Sequence, residues 1–150
     1  MTLDATKLKE LRELTGVSFS LCKKALDESG NDIEKAKKLL NEWGIEKAAS
    51  KDGRETKEGA IFSYIHHNKK IGVLVELLCE TDFVAKNSDF ETLGKHIASQ
   101  IAFLNPKDAA ILLKSESVRE PGKTIDVLIK ESILKIGENI ILGRFTRYEI

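Results

Sequence analysis

The 150-residue chain carries 24 basic and 24 acidic side chains, a formal charge of zero at pH 7, and 41% of its residues are hydrophobic. This length fits one ordinary domain, or a very small module with a larger one, and the balanced charge argues against nucleic acid as the main partner. No apolar run approaches the roughly 20 residues that span a bilayer, and the amino terminus lacks the pattern of a secretory signal. Cys22 and Cys79 lie in apolar-patterned stretches, as buried thiols of a reducing compartment do, so we expect a soluble cytoplasmic protein.

Residues 1–45 show the 3–4 spacing of apolar side chains that is typical of three short helices. Leu8 and Leu11, for example, share one face of the first helix. Helices this short cannot stand alone, so we expect a compact three-helix module. Polar side chains that can cap a helix mark two of the beginnings, and a glycine marks each end. The predicted caps are Ser18 and Asn31, and the predicted ends are Gly16, Gly30 and Gly44.

A linker is predicted over residues 46–58. The apolar periodicity disappears there, and eight of the 14 residues from Ile45 to Glu58 are charged, four of each sign. Such a mixed-charge segment with a central glycine is typical of a mobile connection, and a partly helical linker is the alternative.

Residues 59–150 are predicted to form an α+β core. The period changes towards 2, and two strands joined by a short turn indicate an antiparallel hairpin. Two helices and a third strand follow, which gives a three-stranded antiparallel sheet with helices packed on one face. Within 107–123, Ala109–Leu113 fits either a short strand or a helical turn. The predicted strands are 60–67, 71–79 and 140–150, and the predicted helices begin at Ser88 and Thr124 and end before Asn105 and at Gly137.

The His66-His67 pair is the one apparent candidate for a metal site or a catalytic base. Neighbouring residues on a strand point to opposite faces, so two adjacent rings do not easily share one ion. The chain also lacks a glycine-rich phosphate loop and a nucleophile with a base and an orienting group. We therefore predict no metal, no cofactor and no catalytic residue.

The segment Thr81–Asn87 is unusual because it places Phe83 and Val84 between Asp82 and Lys86, where a polar loop is expected. In one interpretation Phe83 packs into the local core as a staple for the following helix. In the other, Phe83 is an exposed anchor for a partner, oriented by its charged neighbours. The pattern alone leaves both open.

Several motifs of the chain, in the same order, resemble the elongation factor Ts family. They include the stretch from Gly72 to Glu80 followed directly by Thr81–Asn87, and the matches run from residue 8 to about residue 148. The resemblance identifies residues 1–45 as a ubiquitin-associated-like module and the whole chain as a short, single-core form. The other matching stretches are 9–16, 22–26, 35–40, 45–49 and 135–140.

The resemblance implies a guanine-nucleotide exchange factor that binds elongation factor Tu with GDP and promotes GDP release by disturbing the Mg²⁺ and phosphate site. In that family this work is assigned to the loop numbered here Thr81, Asp82, Phe83 and Val84. A second contact is implied for Arg12 and Phe19 on the helical module, and a third for His66.

The chain also departs from the family pattern. The stretch Val17–Leu21 replaces a small residue and two methionines, which alters part of the amino-terminal contact surface. Long members have two core subdomains, whereas this chain has room for one and is short between Pro106 and Ala109. We therefore expect a homodimer, formed through an apolar strip on the last strand, with helices covering that strip in a monomer as the alternative. The strip comprises Ile140, Leu142, Thr146, Tyr148 and Ile150.

The rival function belongs to another class. Residues 1–45 alone fit a ubiquitin-associated-type adaptor that binds peptides and has no exchange activity, with the remainder as support. Such an adaptor would be insensitive to changes at Phe83 and would depend on the helical module.

Overall fold

The computed structural model describes residues 2–150 and contains seven helices and three strands within them. The helices are α1 Ala5–Thr15, α2 Phe19–Ser29, α3 Ile33–Lys51, α4 Asp82–Ala85, α5 Ser88–Leu104, α6 Ala109–Lys114 and α7 Ile125–Ile136. The strands are β1 Glu58–Ile65, β2 Ile71–Cys79 and β3 Ile141–Glu149. This is the predicted α+β class. None of the helices in the described residues is long and apolar enough to cross a membrane.

Helices α1, α2 and α3 pack around their own apolar cluster, which includes Leu11, Leu26 and Leu40. Two of the predicted glycine ends are confirmed, because Gly16 and Gly30 take the left-handed conformation that a helix end favours. The predicted cap at Ser18 is confirmed as well.

The beginning of α3 was predicted one residue too early. Asp32 is the cap, and its carboxylate accepts a hydrogen bond from the backbone N–H of Lys35 at 3.0 Å. Asn31 instead has a positive φ of 63° and donates its N–H to the carbonyl of Leu26 at 2.8 Å, which closes the end of α2.

The prediction that Gly44 ends the third helix is wrong. Helix α3 continues to Lys51, so residues 46–51 of the predicted linker are helical, and 52–57 lie outside any helix or strand. A Cβ at Gly44 would lie 3.4 Å from the Lys130 carbonyl oxygen of α7. Gly44 therefore lies inside α3 where this helix packs on α7, and it does not end the helix. The division into domains at 45 and 59 stays a prediction.

The sheet has the order β1-β2-β3, and both pairings are antiparallel. Strand β1 begins and ends two residues before its predicted bounds, so His66 and His67 lie in the turn after it. Alternate side chains from Val73 to Cys79 on β2 are buried against α5, as the period-2 pattern predicts, and α5 and α7 pack on this inner face.

A β-bulge in β3 divides the predicted apolar strip. Val75 pairs with Phe145 and Leu77 pairs with Leu142, so Gly143 and Arg144 both lie opposite Glu76. The side chain of Arg144 donates two hydrogen bonds to Glu76 and lowers the pKa of that carboxyl to about 2.

The extra residue moves the following side chains to the opposite face. Leu142 therefore packs on the core, whereas Tyr148 lies exposed on the outer face of the sheet. The prediction of one continuous strip is wrong because a bulge reverses the alternation.

Between β2 and the carboxyl terminus the structure corrects one predicted helix cap and decides between two alternatives that the sequence left open. The cap of α5 is Asn87 and not Ser88, because the Asn87 side chain accepts hydrogen bonds from Asp89 and Phe90. The ambiguous stretch 109–113 is helical and belongs to α6. The predicted end at Asn105 and the predicted bounds of α7 at Thr124 and Gly137 are confirmed.

Candidate partner-interaction site

Within the predicted loop, Asp82–Ala85 forms a single helical turn, α4. Thr81 caps this turn, and its hydroxyl oxygen accepts a hydrogen bond from the Val84 N–H at 3.4 Å. The Ala85 N–H donates to the Thr81 carbonyl at 3.2 Å. The turn is therefore held by its own backbone and by the Thr81 cap, and the Phe83 ring takes part in neither.

Glu138, which follows α7, fixes the base of the turn. Its Oε1 atom accepts hydrogen bonds from the N–H groups of Glu80 and Thr81 at 3.1 and 3.0 Å, and its Oε2 atom accepts one from the Thr81 hydroxyl at 2.6 Å. Hydrogen bonds to a carboxylate are stronger than those between neutral groups. One side chain from a distant segment therefore holds the entry to α4.

A second set of contacts lies beside Glu138. The Glu80 carboxylate accepts a hydrogen bond from the Asn139 N–H at 2.8 Å and forms an ion pair with Arg54 at 3.6 Å. The buried Asn139 amide in turn donates to the Arg54 carbonyl at 3.0 Å. These bonds connect the segment before β1, the end of β2 and the beginning of β3. Arg54, Glu80, Glu138 and Asn139 together form a platform under α4.

Both cysteines are buried thiols, as predicted. The Cys79 thiol lies under the turn and donates to the Thr81 carbonyl at 3.2 Å. Burial, assisted by the charge of Glu138, raises the pKa of Cys79 to about 11. Cys79 therefore stays protonated at neutral pH and has no nucleophilic role.

Phe83 projects from this platform into solvent, with 83% of its surface exposed. The interpretation of Phe83 as a local staple is therefore wrong. Val84, its neighbour, packs partly against the core, and the Asp82 carboxylate lies 3.7 Å from the Lys86 ammonium on the exposed side of the turn. The result is a rigid turn that presents one aromatic ring beside an acidic group.

Arg12 and Phe19 lie on the helical module and face each other. The Arg12 guanidinium carbon is 5.9 Å from the centre of the Phe19 ring, within the range of a cation–π contact. Phe19 is 52% exposed, so the pair forms a second accessible surface.

His66 belongs to an aromatic cluster at the hairpin turn. Its Nδ1 atom lies 2.9 Å from the Tyr64 hydroxyl, and its ring centre lies 6.1 Å from that of Phe103 at the end of α5. The expectation that the two histidine rings point apart is wrong, because both follow the end of β1 and their ring centres are 4.2 Å apart. Within residues 2–150 no group of three or more His, Cys, Asp or Glu side chains could hold a metal ion.

The structure does not bring all the predicted residues together. His66 precedes β2 and Thr81 follows it, so the hairpin cluster and α4 lie at opposite ends of a nine-residue strand. At roughly 3.3 Å per residue that strand is about 26 Å long.

Comparison with known proteins shows the family of this chain. The family model described as "Elongation factor TS" matches residues 80–150, and "Elongation factor Ts, mitochondrial, N-terminal" matches residues 1–51. The elongation factor Ts of Leptospira biflexa is 39% identical over all of this chain and 98% of its own length. That of Fervidobacterium nodosum is 40% identical over all of this chain and 99% of its own length. The chain belongs to the elongation factor Ts family.

A third elongation factor Ts, from Aquifex aeolicus, is 46% identical over 99% of this chain. The chain spans about half the length of that relative, 53%, whereas it covers nearly all of the Leptospira and Fervidobacterium proteins. The family name identifies a factor of translation elongation.

Sequence reasoning missed two residues of this candidate site. Glu138 is separated from Thr81 by 57 positions, so its role depends on a contact that no local pattern shows. Its position does give a local signal. Glu138 directly follows Gly137, the glycine that ends α7, so its carboxylate can accept hydrogen bonds from a neighbouring turn. Phe103 was not singled out in the sequence, yet it is 60% exposed beside His66.

Proposed function

We propose that this chain is a guanine-nucleotide exchange factor for elongation factor Tu. It would bind the GDP form of that GTPase and promote GDP release by disturbing the Mg²⁺ and phosphate site. The observation that carries the proposal is the exposure of Phe83 on a turn that is held from below by Glu138. An exposed aromatic ring on a rigid support is typical of an interface anchor, because little conformational freedom is lost on binding.

The chain itself performs no chemistry in this mechanism and needs no cofactor. A GTPase holds its nucleotide through phosphate contacts and a bridging Mg²⁺. A factor that binds the nucleotide-free form more tightly than the loaded form lowers nucleotide affinity by the same ratio. Phe83 inserts between side chains of the GTPase domain, and Asp82 helps to disturb the region that holds Mg²⁺.

The other exposed residues give the factor further contacts with the same partner. Arg12 and Phe19 form a second contact on the helical module, which we take to be ubiquitin-associated-like, and His66 forms a third. Because His66 and Phe83 are far apart, they touch different domains of elongation factor Tu. The site of action is the cytoplasm, where translation elongation takes place.

We also propose that two copies of the chain associate through the outer face of the sheet. This face is not covered by a helix, and its exposed side chains include Ile61, Ile65, Leu74 and Tyr148. Light scattering at micromolar concentration tests the association. A mass near 16.7 kDa that does not rise with concentration would show a monomer and end this part of the proposal.

The exchange proposal is tested by release of labelled GDP from purified elongation factor Tu. The unsubstituted chain accelerates release, and the Phe83→Ala chain does so at least roughly tenfold less, which corresponds to about 1.4 kcal/mol. Val118→Ala is the matched control, because Val118 is an exposed apolar residue on the connection between α6 and α7. No acceleration by the unsubstituted chain would overturn the proposal.

A further inference from the structure

A cleft separates the helical module from the core on one side of the molecule. The end of α1 lines it on the module side, and α5 and α7 line it on the core side. Helix α3 also lines the cleft, and there the module and the core are in contact, because Leu134 of α7 packs against the apolar cluster of the module and α3 packs along α7. The module is therefore anchored along α3, and its α1 end faces the core across a gap.

Lys135, in the last turn of α7, bridges this gap. Its Nζ atom lies 3.1 Å from the Asp89 carboxylate at the beginning of α5. The same atom lies only 2.5 Å from the position that a Cβ on Gly16 would occupy, so the ammonium rests directly against the backbone that ends α1. One side chain of the core thus contacts the module at a position where glycine leaves room for it.

The electrostatics of this place favour a cation. The carboxyl-terminal end of a helix carries partial negative charge, and both α1 and α7 end beside the Lys135 ammonium. Asp89 adds a full negative charge. A neutral side chain would leave these three groups facing one another without a counter-charge.

Gly16 lies between the two module residues that are proposed to contact elongation factor Tu. The Gly16 N–H donates to the carbonyl of Arg12 at 2.8 Å, and Phe19 begins the next helix three residues later. A change in the position of Gly16 relative to the core therefore moves Arg12 and Phe19 relative to Phe83.

We infer that Lys135 is a positioning residue, which holds the helical module at a fixed orientation to the core and so presents Arg12, Phe19 and Phe83 to one partner in register. The effect on partner binding rests on the proposed function, but the contact of Lys135 with the helical module does not. Preorganisation of separate contacts lowers the entropy lost on binding. It therefore changes the affinity for the partner and not the rate of GDP release within the complex.

Two measurements on the full chain test the inference. In the free chain, the distance distribution between spin labels at the exposed positions Glu10 and Lys107 reports the orientation of the module. Lys135→Met broadens this distribution. In labelled GDP release from elongation factor Tu, the same variant needs roughly two- to fivefold more factor for half-maximal acceleration, with an unchanged maximal rate, as loss of a partly exposed ion pair predicts.

Lys123→Met is the matched control. Lys123 also lines the cleft and, like Lys135, pairs with a core carboxylate, that of Glu131 at 3.0 Å. It does not lie against Gly16 as Lys135 does, so its removal leaves both measurements unchanged. Asp89→Asn removes the core carboxylate that holds the Lys135 ammonium in place beside Gly16, and it keeps the test valid if Lys135→Met does not fold.

An unchanged distance distribution in Lys135→Met and Asp89→Asn overturns the inference. A broadened distribution with unchanged half-saturation overturns the link to partner binding. If the unsubstituted chain does not accelerate GDP release, the exchange proposal fails and the distance measurement still decides the bridge.

Discussion

Two phenylalanines that are seven positions apart have opposite environments. Phe83 on α4 is the most exposed aromatic side chain of the site, whereas Phe90 on α5 is completely buried, with its ring centre 5.8 Å from that of Phe62. Helix α5 needs its aromatic ring to pack on the sheet. The turn α4 is held by backbone and Glu138 contacts, so its ring contributes little to the fold.

The difference shows that, in one short stretch of sequence, one side chain can stabilise the fold while another is free to bind a partner. Where the backbone is fixed by hydrogen bonds from elsewhere, an apolar side chain is free to face solvent and to serve a partner. Where the element is fixed by packing, the apolar side chain is part of the core. Substitutions in α4 and α5 should therefore affect different measurements.

Phe90→Ala should have the largest effect on stability. It removes a fully buried ring and leaves a cavity against Phe62, so the free energy of unfolding should fall by about 3–5 kcal/mol. Urea unfolding followed by circular dichroism measures it. Phe103→Ala, on the same helix but exposed, is the control and should cost under about 1 kcal/mol. Equal losses in the two variants would remove the contrast between buried and exposed rings.

Gly94→Ala should come next. A Cβ at Gly94 would lie 2.1 Å from Cδ2 of Phe62, so the substitution forces the packed ring to move and should cost about 1–3 kcal/mol. Gly44→Ala in α3 is the matched substitution, because its Cβ would meet only ordinary contacts and alanine favours a helix. Thermal unfolding of both should therefore give shifts of opposite sign. A stabilising Gly94→Ala would show that the packing of α5 is looser than the structure indicates.

Glu138→Gln tests the support under α4. The glutamine carbonyl oxygen can still accept hydrogen bonds from the two backbone N–H groups. Its NH₂ group cannot accept one from the Thr81 hydroxyl, so the free energy of unfolding should fall by about 1–2 kcal/mol. Glu91→Gln, which affects only an exposed pair with Lys95, should cost about 0.5 kcal/mol or less. Chemical unfolding measures the free energy of unfolding of both variants. A Glu138→Gln chain as stable as Glu91→Gln would mean that α4 holds its shape without this carboxylate.

The sequence predicted features that depend on local patterns. Gly16 and Gly30 end helices because a positive φ at a helix end is a local requirement, and the alternation on β2 follows directly from its period of 2. Gly44 is also a glycine, but it lies inside α3 at the contact with α7 and has no positive φ. No pattern within α3 distinguishes a helix end from a close contact between helices.

The candidate site was predictable only in part. The position of Thr81–Val84 followed from an apolar residue in a polar segment, but the choice between staple and anchor required the exposure of Phe83. The clamp by Glu138 and the bulge at Gly143 depend on segments that are more than 50 positions away in the sequence. Such long-range contacts are determined by the packing of the whole core.

The most direct test of the contrast between the two rings, and of the proposed anchor, is to measure stability and exchange in one preparation of the Phe83→Ala chain. The free energy of unfolding should stay within about 0.5 kcal/mol of the unsubstituted chain, because an exposed ring leaves no cavity. Acceleration of GDP release from elongation factor Tu should fall at least roughly tenfold in the same sample. Full exchange activity, or a loss of several kcal/mol in stability, would contradict the role of Phe83 as an exposed anchor.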